Sequence, residues 1–236
     1  MQKEDLIAKN PLRVFQTDSQ GKTVEHRMGL LMARAGLGKT AILVQIALDS
    51  IIRGNQVLHV SIGQNLEKTK IWYDDIFKDI ADASKLENAY DIYGEIVRNR
   101  LIMTFNASSF SRPKLEERLN DMVYQNIFRP TCMVIDGFDF KTNDRSVLED
   151  IRSLAEVMEM NVWFSAVCHR DDDRVSGAGV PAPCHDVDDL FDTVVLLKAR
   201  SDKENLVLNV IKDTTGCVEK GHILNLDPVT HFVKEA

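Results

Sequence analysis

Short apolar runs and longer stretches with helical spacing follow one another along this chain, separated by turn residues. Residues 28–33 (Met-Gly-Leu-Leu-Met-Ala) form an apolar run of strand length, and residues 41–52 carry the apolar content of a buried helix. Gly54 is placed to stop that helix. Residues 56–62 predict a second strand. A helical region begins near Leu66, with Ile71, Ile76, Phe77 and Ile80 as its inward positions, and a second helical piece spans residues 84–98. Residues 101–105 predict a strand, and Ser111 followed by Pro113 predicts a capped helix with Leu115, Leu119, Met122 and Val123 as its stripe. Residues 131–135 (Thr-Cys-Met-Val-Ile) form a further buried strand. The run Ser146-Val147-Leu148-Glu149 has the form of a capping box, opening a helix whose stripe is Val147, Leu148, Ile151, Leu154, Ala155 and Met158. Residues 161–168 predict a strand.

Beyond that point the pattern changes. Residues 170–189 hold three consecutive Asp, two Gly and two Pro, the composition of a mobile loop. Residues 193–198, 206–211 and 223–226 then predict strands with no helices between them, and residues 231–233 a short last one. The expectation is an α/β fold with a mostly parallel sheet, flanking helices and a β-rich C-terminal end. Residues 1–27 are expected to form an arm or an appended strand, with 12–16 as the best strand segment, and residues 28–236 a single domain.

The junction between the first strand and the first helix carries the chemistry. Ala33-Arg34-Ala35-Gly36-Leu37-Gly38-Lys39-Thr40 fits the phosphate-binding loop, with Ala33 in place of the first glycine. Glycines let the backbone curl around phosphate oxygens, and N–H groups at a helix start point outward where the helix dipole favours negative charge. Residues Ala35, Gly36, Leu37, Gly38, Lys39, Thr40 and Ala41 are therefore the expected nucleotide-binding set. Lys39 supplies a cation for the β- and γ-phosphates, and the Thr40 hydroxyl is a ligand for Mg²⁺. Asp136 ends the 131–135 strand, where open α/β sheets bind ligands; there its carboxylate would hold Mg²⁺ through water. The alternative for Asp136-Gly137 is a plain turn.

Charge and cysteine usage narrow the classes. Over 236 residues the formal net charge is −7, which argues against a broad nucleic-acid footprint. No apolar run is long enough to span a bilayer, and the first residues, Met-Gln-Lys-Glu-Asp, lack the apolar region of a signal peptide. Cys132, Cys168, Cys184 and Cys217 are widely spaced, as expected of a reduced, cytosolic protein. Cys168-His169 and Cys184-His185 match no common zinc spacing.

With these pieces in order, residues 28–234 resemble the RecA-like ATPases, especially the motor core of DnaB-type helicases and the KaiC group. Two further segments carry the resemblance. Leu190-Phe191-Asp192-Thr193-Val194-Val195 is similar to the family's acidic turn entering a strand, and Ile211-Lys212-Asp213-Thr214-Thr215-Gly216 to its Lys-x-Arg-x-Gly element. The resemblance implies ATP and Mg²⁺ as ligands, assembly into a homo-oligomer, and Lys212 acting on a neighbouring subunit's γ-phosphate. It also exposes departures. The family's catalytic Glu after the second strand is replaced by Gly63 or Gln64, its Gln after a later strand falls on Ala166–His169, and the arginine of its Lys-x-Arg element is Thr214. Gln64 is able to orient a water but not to accept a proton, and His169 is placed to contact a γ-phosphate.

The first expectation is thus a self-assembling Mg-ATP-binding ATPase with slow hydrolysis. The alternative is a non-hydrolysing nucleotide switch that acts through a protein partner. A DNA-motor core fits less well: the loop after the 161–168 strand sets Asp171, Asp172, Asp173, Asp186, Asp188 and Asp189 against Arg174, and the preceding loop offers only Lys141 and Arg145. A small-molecule kinase fits least, for want of an Arg-rich lid.

Overall fold

The computed structural model describes residues 1–15, 26–169, 171–199, 206–226 and 233–234. Its strands are β1 (Met28–Ala33), β2 (Val57–Ile62), β3 (Arg100–Phe105), β4 (Cys132–Asp136), β5 (Asn161–Val167), β6 (Thr193–Ala199), β7 (Leu206–Asp213), β8 (Ile223–Leu226) and β9 (Val233–Lys234). Its helices are α1 (Lys3–Ala8), α2 (Lys39–Ile52), α3 (Leu66–Ser84), α4 (Ala89–Arg98), α5 (Arg112–Tyr124) and α6 (Arg145–Val157). The nine strands form one sheet in the order β3-β2-β4-β5-β1-β6-β7-β8-β9. The pairs from β3 through β6 are parallel, and those from β6 to β9 are antiparallel. The fold is α/β, as the alternation of elements predicts.

Every residue of β1, β2 and β4 is buried, because both faces of the parallel sheet are covered. Leu31, Val57, Val134 and Trp163 pack with α2, α3 and α4 on one face. Leu30, Leu58, Met133 and Phe164 pack with α5 and α6 on the other. Helix α2 is buried from Ala41 to Ile52, so it forms the spine of the first layer.

Residues 12–15 do not form the expected strand. Pro11–Phe15 is a 3₁₀ helix preceded by α1; Gln16 lies outside the described residues. Proline fixes φ and lacks a ladder donor, and the Asn10 side chain accepts from Leu12 N at 3.1 Å, closing a turn that extended chain would not allow. Leu12 and Phe15 are buried, and the Phe15 ring meets Trp163 edge-on with centroids 5.6 Å apart. Residues 11–15 are thus docked on the core layer through Leu12 and Phe15 and are not a strand.

Three other boundaries differ from expectation. Helix α6 starts at Arg145 with Asp144 as its cap residue, so Ser146 lies inside the helix and makes no capping box. Ser84 closes α3, and Lys85, at φ 48°, breaks the chain before α4. Part of 170–189 is packed: Val180 and Cys184 are wholly buried against the α5–α6 layer, and Asp188–Leu190 forms a 3₁₀ turn, whereas Asp171 and residues 173–175 are exposed. Of the last expected strand, Val233 lies in β9, while His231 and Phe232 lie outside the described residues.

Candidate functional site

The site is built where β1 gives way to α2. The buried strand ends at Ala33; Arg34, Ala35 and Gly36 are exposed, and Leu37, Gly38, Lys39 and Thr40 are half-buried. Gly36 and Gly38 have φ of 81° and 94°, backbone that a β-carbon disfavours and that the expected loop requires. Helix α2 begins directly at Lys39, so its unpaired N–H groups face the loop. Ala41 is the first fully core-facing residue of the set, leaving only its backbone for a ligand.

Asp136 reaches this loop from β4, two strands away across β5. Thr40 donates its hydroxyl to one oxygen of Asp136 at 2.7 Å. Ser165, on β5 beside it, donates to the other. Asp136 is almost completely buried, so the two hydroxyls fix its orientation. Gly137 then turns the chain away at φ 87°, and a β-carbon there would lie 2.3 Å from the Ile62 carbonyl oxygen. No other residue type fits that exit.

Burial pulls the Lys39 ammonium below its usual pKa, while the charge of Asp136 and, more weakly, Cys168 push it back up. Cys168 follows the end of β5 and donates its backbone N–H to the Ala33 carbonyl at 2.9 Å. Its thiol is pushed up to about 11 by burial, with Lys39 and Arg34 acting the other way.

No protein-family model and no curated protein matches this chain. What the site can do is set by its own groups. Outward N–H groups and a lysine suit a polyphosphate. A hydroxyl and a carboxylate held 2.7 Å apart suit a hard cation such as Mg²⁺, which takes oxygen ligands. Thr40 and Asp136 are the residues able to hold that metal. Among the described residues no group of three His, Cys, Asp or Glu converges on a metal position.

The structure therefore brings Lys39, Thr40 and Asp136 together. The other expected residues lie on neighbouring segments. Gly63 donates its N–H to the Phe105 carbonyl at 2.8 Å, so the chain leaving β2 follows β3, and Gln64 lines a cavity on that side. His169 is exposed at the same sheet edge as the loop, beyond β5. Lys212 pairs with Val194 in the β6–β7 register, near the start of β6 and thus at the opposite edge, and its ammonium donates to the Asp188 carbonyl at 2.7 Å.

Ser165 is a site residue that sequence reasoning missed. A signal existed: it is the one hydroxyl between the apolar neighbours Phe164 and Ala166 of a predicted core strand. A second missed layer lies beneath Asp136. Ser61 pairs with Asp136 across the β2–β4 register and accepts from the Thr69 hydroxyl at 3.2 Å. Further down β2, His59 Nδ1 and the Tyr73 hydroxyl meet at 3.1 Å, both fully buried. Burial lowers His59 to about 4 and raises Tyr73, so both are neutral at physiological pH.

Proposed function

We propose that this protein binds Mg-ATP as a RecA-like P-loop ATPase, that it self-assembles, and that it hydrolyses ATP slowly. The observation that carries the reading is the Thr40–Asp136 pair at 2.7 Å, set beside Lys39 at the mouth of the glycine loop. Phosphoryl transfer needs positioned cations more than covalent chemistry from the protein. In this reading Lys39 binds the β- and γ-phosphates, Thr40 and Asp136 hold Mg²⁺, and residues 35–41 supply backbone donors. The sheet order, with β1 between β5 and β6, sets the loop and Asp136 on one edge, and this supports the same assignment.

A second reading, a nucleotide switch without turnover that acts on a protein partner, is favoured by the residues after β2. Gly63 and Gln64, neither of them a carboxylate, follow the end of β2, which runs beside Asp136. Nucleic-acid handling is disfavoured. Among the described residues of those segments, Arg174 is paired with Asp172 at 2.8 Å, and Arg145 with Asp189 at 2.9 Å and Glu149 at 2.7 Å.

The test is ligand-induced stabilisation. A ligand present at one hundred times its Kd stabilises the native state by about 2.7 kcal/mol. Mg-ATP is expected to raise the melting temperature of the wild type, and Lys39→Ala is expected to lose most of that rise. Equal Mg-ATP affinity in Lys39→Ala would overturn the assignment.

A further inference from the structure

The sheet edge that carries the glycine loop also carries a second concavity, of about 710 Å³. It lies beyond β2 and β3, between the first turn of α3 and the outer face of α5, and its floor includes Phe105 and Asn106. That volume lies within the range of small-molecule pockets.

Its charge is one-sided. Lys114 and Arg118 line it, one helical turn apart on α5, and no acidic residue does. Both cations are held in place. Lys114 Nζ donates to the Ser109 carbonyl at 3.2 Å. Arg118 Nη1 donates to the Thr104 carbonyl at 3.4 Å, and its guanidinium lies over the Phe105 ring, 4.6 Å from the centroid. Carbonyls and a ring face orient a cation without cancelling its charge. The contrast is Arg112 on the same helix, neutralised by Glu116 at 2.8 Å. Two like charges at i,i+4 on a helix repel one another. The pair is thus set up for an anion that neither residue finds among the described residues. Gln64 and Asn65 add neutral polar groups from the opposite wall.

We infer that this cavity is a second ligand site, for a small molecule bearing one or more oxyanion groups, phosphate or carboxylate, clamped between Lys114 and Arg118. A nucleic-acid strand is the poorer occupant: two cations in a concavity on a chain of net charge −7 neutralise too few phosphates to hold a long polyanion.

Occupancy of this cavity does not depend on nucleotide binding, and the test is arranged to separate the two. In the Lys39→Ala protein, pyrophosphate and citrate are titrated by calorimetry at low salt, before and after adding Lys114→Gln and Arg118→Gln together. The expected result is saturable one-to-one binding of at least one probe, weakened by about tenfold or more in the double variant and largely retained in Arg118→Lys. Stronger binding of pyrophosphate assigns a phosphorylated ligand, and stronger binding of citrate a carboxylated one. Absence of binding by both probes up to about 10 mM, or unchanged affinity in the double variant, overturns the site. Failure of the nucleotide reading would appear separately, as unaltered Mg-ATP binding by Lys39→Ala itself.

Discussion

Both oxygens of Asp136 are occupied, one by Thr40 and one by Ser165, so the carboxylate presents a fixed edge to the glycine loop. Asp136→Asn keeps the size of the group and removes its charge. It is expected to weaken the Mg²⁺ dependence of ATP binding more than ATP binding itself, because an amide neutralises a cation poorly. Titrations with and without Mg²⁺ check this, and an unchanged Mg²⁺ effect would leave Asp136 as a turn residue. His59 yields a second prediction at this scale. Its folded pKa near 4 lies below the ordinary 6.5, so the unfolded chain takes up the proton first. Stability is therefore lost as pH falls from about 6.5 to about 4, by a total on the order of 3 kcal/mol, and this contribution is flat outside that window. Urea midpoints measured across the window should fall less steeply in His59→Gln; identical slopes would show that His59 is not the titrating group. Lys39, Thr40 and Asp136 were legible in the sequence because a linear pattern and a strand end mark them. Ser165 and Ser61 were not, because only the β4–β5 and β2–β4 registers make them neighbours of Asp136.

Among the elements, the strands were the most legible. A strand buried on both faces must be apolar throughout, and β1, β2 and β4 are. The helix starts were less so, because several side chains are able to cap and only geometry selects one. Ser111 sits at the cap position of α5 yet makes no side-chain capping bond, and at α6 Asp144 displaces the expected Ser146. At α3 the selection is clear: the Asn65 side chain accepts from Lys68 N at 2.8 Å. Asn65→Ala is expected to destabilise the protein by about 1 kcal/mol in chemical denaturation. No change would mean that the cap is idle in solution. The 3₁₀ segment is not marked in the sequence, because Leu12, Val14 and Phe15 satisfy an apolar count that does not separate strand from tight turn, whereas Asn10 and Pro11 decide the matter locally.

For the whole molecule, turnover and assembly belong together. The lone protein is expected to hydrolyse ATP well below the typical enzyme median of about 10 s⁻¹, because Gly63 and Gln64, not a carboxylate, directly follow β2. Phosphate release at or above that rate would show that another group takes the part of the missing carboxylate. Lys212 lies at the sheet edge opposite its own glycine loop, so in the proposed assembly the phosphate it would meet is another copy's. Lys212→Ala should weaken Mg-ATP-dependent assembly in sedimentation while leaving monomer binding intact. A monomer at high concentration with Mg-ATP would reduce Lys212 to the tie it makes with Asp188. One consequence of the N-terminal segment bears on all such experiments. Leu12 and Phe15 fill the layer around α2, and Asn10 donates to the buried Asp49 carboxylate on that helix at 2.8 Å. A gene recut to begin at β1, as a motif-based boundary invites, would strip this lining from the helix that presents Lys39 and Thr40. Feeble nucleotide affinity in such a fragment would report a missing plug at the far end of α2, and would say nothing against the loop.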